Sequence, residues 1–124
     1  MAISSRILGR TALGLVVAFA VARVLDPYQR WAALPVPGDM VEHAAVVFLL
    51  SLVPLAAFPR LKPWTPGAVM LAVGAGLEAL QALPFFIGDF QLRDIVADAV
   101  GVGAAWIALA VSLSWARRNP RLPD

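Results

Sequence analysis

Four apolar stretches, each about as long as a membrane-spanning helix, dominate the sequence. They cover approximately residues 7–25, 40–58, 67–86 and 93–115. About 20 residues of α-helix, rising roughly 1.5 Å each, cross the hydrocarbon core of a bilayer. Apolar residues make up 60% of the chain, whereas soluble domains contain about 45–50%. The pattern therefore predicts one all-α transmembrane domain over residues 1–124, an integral membrane four-helix bundle.

The connections between these stretches carry helix-breaking and interfacial residues. Residues 26–38 and residues 59–66 are both rich in proline and contain tyrosine or tryptophan. Proline interrupts helices, and these aromatic side chains suit the membrane–water interface. Asp39 is expected to cap the second helix, and Pro54 to kink that helix without ending it.

The first apolar stretch has a second interpretation as a secretory signal peptide. Arg6 and Arg10 would form its basic region, and the alanines at 18, 20 and 22 would offer cleavage sites. No soluble domain follows this stretch, so the sequence favours a membrane span.

Basic residues are distributed unevenly between the two predicted ends of the bundle. Three lie at one end, Arg23, Arg30 and Arg93, and seven lie at the end with both termini: Arg6, Arg10, Arg60, Lys62, Arg117, Arg118 and Arg121. The positive-inside rule therefore predicts cytoplasmic termini. Because these residues flank apolar stretches and form no stripe with interleaved aromatics, we expect no nucleic-acid partner.

Small residues recur at helical spacing in the third and fourth stretches. These two rows are Ala68, Ala72 and Gly76, and Ala97, Gly101 and Ala105. Rows of this kind let helix backbones approach closely in a membrane. We therefore expect both rows to lie at helix–helix contacts.

Polar residues concentrate near the predicted outer ends of the last three helices. The candidate site consists of Asp39, Glu42, His43, Glu78, Gln81, Arg93, Asp94 and Asp98. The alternating helix directions bring all of these residues to a similar depth. A charged side chain at the centre of a membrane helix costs about 2.5–3.5 kcal/mol on insertion scales, so these groups should face the bundle interior and find partners.

The polar cluster has a structural and a functional interpretation, which the sequence leaves open. As a structural network, it would fix the helix arrangement through hydrogen bonds and ion pairs. However, five carboxylates face only Arg93 and the titratable His43. A shared proton, a divalent cation or a cationic ligand group would relieve this excess of negative charge. His43 among carboxylates also suits general acid–base chemistry, although the spacing matches no strong zinc motif and no cofactor is evident.

Three short motifs occur in a fixed order over residues 38–103. They are Asp39 with His43, Glu78 with Gln81, and a third set: Gly88, Asp89, Asp94, Asp98 and Gly101. The order and spacing resemble the VanZ-like family of small bacterial membrane proteins. Three positions depart from the family pattern: Met40 replaces a frequent lysine, Asp89 an arginine, and Asp98 an asparagine.

The resemblance implies a protein of the bacterial cytoplasmic membrane whose motif residues face the cell exterior. It also implies a role in the cell envelope, in which the site would act on or bind an envelope component or a lipid-linked ligand. Membrane lipid is the expected partner, and a homo-oligomer is compatible with the sequence. The alternative is a non-catalytic accessory subunit packed against a larger membrane complex. A transporter is disfavoured because four spans without an inverted repeat make a poor one.

Overall fold

Four α-helices account for most of the chain. The computed structural model describes residues 4–25, 37–81, 83 and 92–120. The helices are α1 (Ser5–Leu25), α2 (Pro37–Ala57), α3 (Thr65–Gln81) and α4 (Leu92–Arg118). The predicted all-α, four-helix fold is confirmed. Within the described ranges, α1, α2 and α4 are long and apolar enough to cross a membrane, and α3 is a shorter apolar helix.

Several helix ends differ from the sequence prediction. The second helix begins at Pro37, so the expectation that Asp39 caps it is wrong: Asp39 is the third residue of α2. Proline suits the first helical position because the backbone N–H that it lacks would have no partner there. The fourth helix continues to Arg118, and basic residues in its last turn favour the negative end of the helix dipole. The predicted end of the third helix, at residue 86, lies outside the described residues.

The second helix does not end at its internal proline. It continues past Pro54 to Ala57, as the sequence predicted. The backbone N–H of Phe58 then donates to the carbonyl oxygen of Pro54 at 2.8 Å. A proline is tolerated here because only the carbonyl one turn earlier loses its partner.

Helix α2 is the centre of the bundle, packing against α1, α3 and α4, while α4 also packs against α3. Close approaches at glycines fix the relative directions. A Cβ atom on Gly9 of α1 would lie 2.8 Å from the carbonyl carbon of Ala56, near the end of α2. Along α3, Gly67 lies against Trp106 of α4, and the later residue Gly74 lies against the earlier residue Asp98. Helices α1 and α2 are therefore antiparallel, as are α3 and α4. Helix α2 runs parallel to α4, because the first half of α2 contacts the first half of α4.

The small residues of α4 lie at a helix contact, as predicted. Ala97, Gly101 and Ala105 are buried, and a Cβ atom on Gly101 would lie 2.6 Å from the carbonyl oxygen of Ala44 in α2. This row faces α2, where it lets the two backbones approach closely.

The predicted small-residue row of α3 is wrong as a helix contact. Ala72 is exposed, and nothing lies within 4 Å of a Cβ atom built on Gly76. Gly67 and Gly74 meet α4 instead. Because α3 is apolar on most sides, its own sequence does not fix its rotation about the helix axis. That rotation is determined by the polar and aromatic side chains of α4 that α3 packs against.

The end of the bundle that carries Ser5 and Arg118 is rich in basic residues. There the guanidinium carbon of Arg10 lies 5.5 Å from the centre of the Phe58 ring, which joins α1 to the end of α2. A cation above an aromatic face is attracted by the negative charge of the ring surface. The predicted polar site lies toward the opposite end of the bundle.

Candidate functional site

A histidine and an aspartate from two parallel helices meet inside the bundle. Nε2 of His43 lies 2.6 Å from Oδ1 of Asp98. Each is the seventh residue of its helix, because α2 begins at Pro37 and α4 at Leu92. The parallel packing of these helices therefore brings the two side chains to one depth. The predicted convergence of the candidate residues holds for this pair.

The two members of the pair differ in their exposure. The Asp98 side chain is 8% exposed, whereas that of His43 is 40% exposed. The carboxylate is therefore fixed within the bundle, and the imidazole remains accessible from outside. A buried carboxylate that is hydrogen-bonded to one ring nitrogen orients the ring and determines which nitrogen carries the proton.

Gly74 of α3 makes room for the Asp98 carboxylate. A Cβ atom built on Gly74 would overlap Oδ2 of Asp98. Asp98 thus lies between two helices, with one oxygen on the imidazole of α2 and the other against the backbone of α3. Any larger residue at position 74 would force this carboxylate or α3 itself to move.

Glu78 brings a second buried carboxyl group to the same side of α3. It is 6% exposed and follows Gly74 by four residues, so it lies one helical turn further along. Residues four apart on a helix share a face, so Glu78 lies on the same face of α3 as Gly74, one helical turn beyond the contact of Gly74 with Asp98. Glu42, Glu78 and Arg93 each have an interaction partner.

The other candidate residues take different positions. Asp94 is half-buried in the first turn of α4, where the positive end of the helix dipole favours a carboxylate. Glu42 lines a surface between α2 and α1. Asp39 and Gln81 belong to α2 and α3, but their side chains lie outside the described part of the structure, as does Asp89.

The predicted divalent-cation site has no counterpart among the side chains that the structure describes. Within them, no group of three histidine, cysteine, aspartate or glutamate side chains converges as a metal site requires. The carboxylates of Asp39 and Asp89 are not among those described. The cation therefore stays a prediction.

The pair can hold and transfer a proton. When Nε2 of His43 donates to Asp98, Nδ1 is left as an acceptor, and a protonated imidazole would donate through both nitrogens. The same contact also joins α2 to α4, so it contributes to the helix arrangement as well.

Gly74 is the member of this site that the sequence analysis did not identify. The row of Ala68, Ala72 and Gly76 drew attention to the wrong face of α3. The spacing of four residues between Gly74 and Glu78 was the available signal, because it places a small residue below a buried carboxyl group on one face.

Comparison of the chain with protein-family models, curated proteins and solved structures finds no match. The VanZ-like resemblance therefore stays a prediction based on the motif residues.

Proposed function

We propose that this chain is a VanZ-like protein of the bacterial cytoplasmic membrane that binds or acts on an envelope component or a lipid-linked ligand. The observation that carries the proposal is the contact of His43 with Asp98 at 2.6 Å, in which the carboxylate is buried and the imidazole is accessible. An oriented, reachable imidazole is what a ligand or a general acid–base reaction requires.

The charge distribution supports an outward-facing site. Basic residues gather at the end of the bundle with Ser5 and Arg118, and the positive-inside rule assigns that end to the cytoplasm. The His43–Asp98 pair then lies toward the outer leaflet. From there it would meet molecules that are exposed on the outer side of the membrane.

The carboxylates of α4 indicate the kind of group that the site would accept. Asp94 and Asp98 both lie on this helix, and Asp98 contacts His43. A ligand amine or hydroxyl group can donate to a carboxylate, and the imidazole can take or return a proton. An anionic group would be repelled unless it met a cation first.

The test uses variants that remove proton transfer but preserve shape. His43→Gln retains a hydrogen-bonding amide, and Asp98→Asn retains the size of the carboxylate. The VanZ-like family is named for a member linked to teicoplanin resistance, so the assay compares the teicoplanin resistance of host cells that express the wild type or a variant and lack their own copy of the gene. We expect both variants to lose the resistance that the wild type confers, while membrane insertion stays unchanged. We expect the teicoplanin concentration that the host tolerates to fall at least about tenfold, since acid–base groups typically contribute about 100- to 10,000-fold to a reaction rate.

Ser112→Ala is the matched control. Ser112 lies on α4, like Asp98, but it is exposed, and its hydroxyl donates to the Ala108 carbonyl oxygen at 2.8 Å within the same helix. Full activity of both His43→Gln and Asp98→Asn would refute the proposal and leave the pair a structural contact.

The second candidate function is that of a non-catalytic accessory subunit. It is favoured by the outward face of α3, where Ala72 is exposed and Gly76 has open space around it. A smooth helix face of this kind permits close approach of another membrane helix. Mass measurement after gentle detergent extraction separates the candidates, because a stable complex with unlike subunits supports this one and a monomer or homo-oligomer opposes it.

A further inference from the structure

Basic side chains gather at the end of the bundle opposite the His43–Asp98 pair. They come from the start of α1, the connection after α2 and the last turn of α4, and all are exposed: Arg6, Arg10, Arg60, Lys62, Arg117 and Arg118. The acidic residues of the four helices all lie toward the other end: Asp39, Glu42, Glu78, Asp94 and Asp98. Within the described ranges, this end of the bundle therefore carries positive charge without an acidic residue to neutralise it.

Two of these cations lie where the helix itself disfavours them. Arg6 and Arg10 are in the first two turns of α1, and the first turn contains no acidic residue. Cations near a helix start oppose the positive end of the helix dipole, and like charges four residues apart repel each other. Arg117 and Arg118, in contrast, lie in the last turn of α4, where the dipole favours basic residues. An anion beside Arg6 and Arg10 would relieve both unfavourable interactions.

The packing of α1 on the end of α2 brings further cations close to this pair. Gly9 lies against the backbone of Ala56, and the guanidinium carbon of Arg10 is 5.5 Å from the centre of the Phe58 ring. Arg60 follows Phe58 by two residues, which span at most about 7 Å even when extended. The start of α1 and the connection after α2 therefore form one basic surface.

The connection also exposes apolar side chains beside its basic groups. Its backbone is folded into turns, in which the N–H of Leu61 donates to Phe58 and that of Thr65 donates to Lys62, both at 3.0 Å. Phe58, Leu61 and Trp64 are exposed. Tryptophan suits the headgroup level of the membrane. Cations next to apolar side chains match a molecule with an anionic head and an apolar tail, whereas a soluble anion would use the cations alone.

We propose that a basic cluster at this surface, formed by Arg6, Arg10, Arg60 and Lys62, binds the phosphate of an anionic phospholipid. The Phe58 ring holds Arg10 through its charge, so the guanidinium N–H groups can donate to phosphate oxygens. A net anionic headgroup is preferred, because a zwitterionic one brings its own ammonium group toward the same cations. The acyl chains would lie against the exposed apolar side chains beside the cluster.

The test compares two pairs of arginines that carry the same charge. The full-length protein in detergent is incubated with equal amounts of phosphatidylglycerol and phosphatidylcholine of identical acyl chains, and bound lipids are counted by native mass spectrometry. We expect the wild type to prefer phosphatidylglycerol at least about fivefold, which is roughly the contribution of one basic residue beside an anionic membrane. Arg6→Gln combined with Arg60→Gln should bring this preference to within about twofold of one, because two such contributions are removed.

The matched control is Arg117→Gln combined with Arg118→Gln, which removes the same charge from the last turn of α4 and should keep the preference. Arg6 and Arg60 are suitable positions because both are exposed, and Gly9 and Arg10, which join α1 to α2, stay unchanged. Circular dichroism checks that all variants keep their helices.

Glycerol phosphate tests whether the cluster takes a free phosphate instead of a lipid. It carries the anionic group without acyl chains. Added at the concentration of the lipid, it should leave phosphatidylglycerol bound, because it cannot contact the exposed apolar side chains.

Three outcomes would overturn the proposal: equal binding of both lipids by the wild type, an equal effect of the two pairs of arginine substitutions, or displacement of the lipid by glycerol phosphate. The cluster lies at the opposite end of the bundle from the His43–Asp98 pair, so the proposal does not depend on the proposed function. None of these outcomes affects the envelope assay of His43→Gln, and the two proposals can fail separately.

Discussion

Replacing Gly74 by alanine tests whether the fit of Asp98 against α3 holds the bundle together. The added methyl group would overlap Oδ2 of Asp98, whereas the same change at Gly76, two residues further along, meets nothing within 4 Å. Both substitutions exchange glycine for alanine in α3, so their gain in helix propensity, about 0.8–1 kcal/mol in water, cancels in the comparison. The difference between the two variants therefore isolates the contact with Asp98.

The expected cost follows from what must move. If α3 shifts away, overpacking costs about 1–3 kcal/mol. If Asp98 rotates instead, its hydrogen bond to His43 is lost, and a bond to a charged group contributes about 1.5–3 kcal/mol. By either route, we expect Gly74→Ala to be about 1–3 kcal/mol less stable than Gly76→Ala.

Two measurements check this expectation. Reversible unfolding in mixed detergent micelles gives the free-energy difference between the variants. Nitrogen NMR of the imidazole reports the hydrogen bond directly, because His43 is the only histidine in the chain. Equal stability of the two variants, together with unchanged imidazole signals in Gly74→Ala, would refute the packing of Asp98 against Gly74.

Two further contacts can be tested in the same micelles. Gly101→Ala should destabilise the protein by about 1–3 kcal/mol, because its methyl group would lie 2.6 Å from a carbonyl oxygen of α2. Gly103→Ala is the control and should not destabilise the protein, because nothing lies within 4 Å of a Cβ atom at this position. Equal stability of the two variants would contradict the close packing of α2 and α4. Arg10→Ala should cost about 0.5–1 kcal/mol through loss of the contact with the Phe58 ring, and an equal loss in the exposed control Arg6→Ala would show that the charge matters and the ring does not.

The helices were predictable because the sequence alternates span-length apolar stretches with proline-rich connections. Lipid-facing helices need no polar side, so apolar length alone identifies them. The start of α2 was harder to predict from the sequence, because proline usually interrupts a helix and Pro37 is compatible with α2 only as its first residue. The sequence also placed His43 and Asp98 among the candidates, through the common depth of the helix ends.

The rotation of α3 could not be predicted from the sequence. Small residues occupy more than one of its faces, and helical spacing favoured Ala72 and Gly76 over Gly74. The choice depends on Asp98, whose carboxylate requires a residue without a side chain at the point of contact. Nor did the sequence reveal that His43 contacts Asp98, because several carboxylates were available to it at a similar depth.

The separation of 55 residues between His43 and Asp98 sets the order in which the site can form during biosynthesis. At roughly 5–20 residues per second, a ribosome adds Asp98 about 3–11 s after His43. Helix α2 is therefore synthesised several seconds before α4, and its imidazole has no carboxylate of α4 to contact during that interval. The pairing of α2 with α4 through His43 and Asp98 is then a late event in the formation of the bundle.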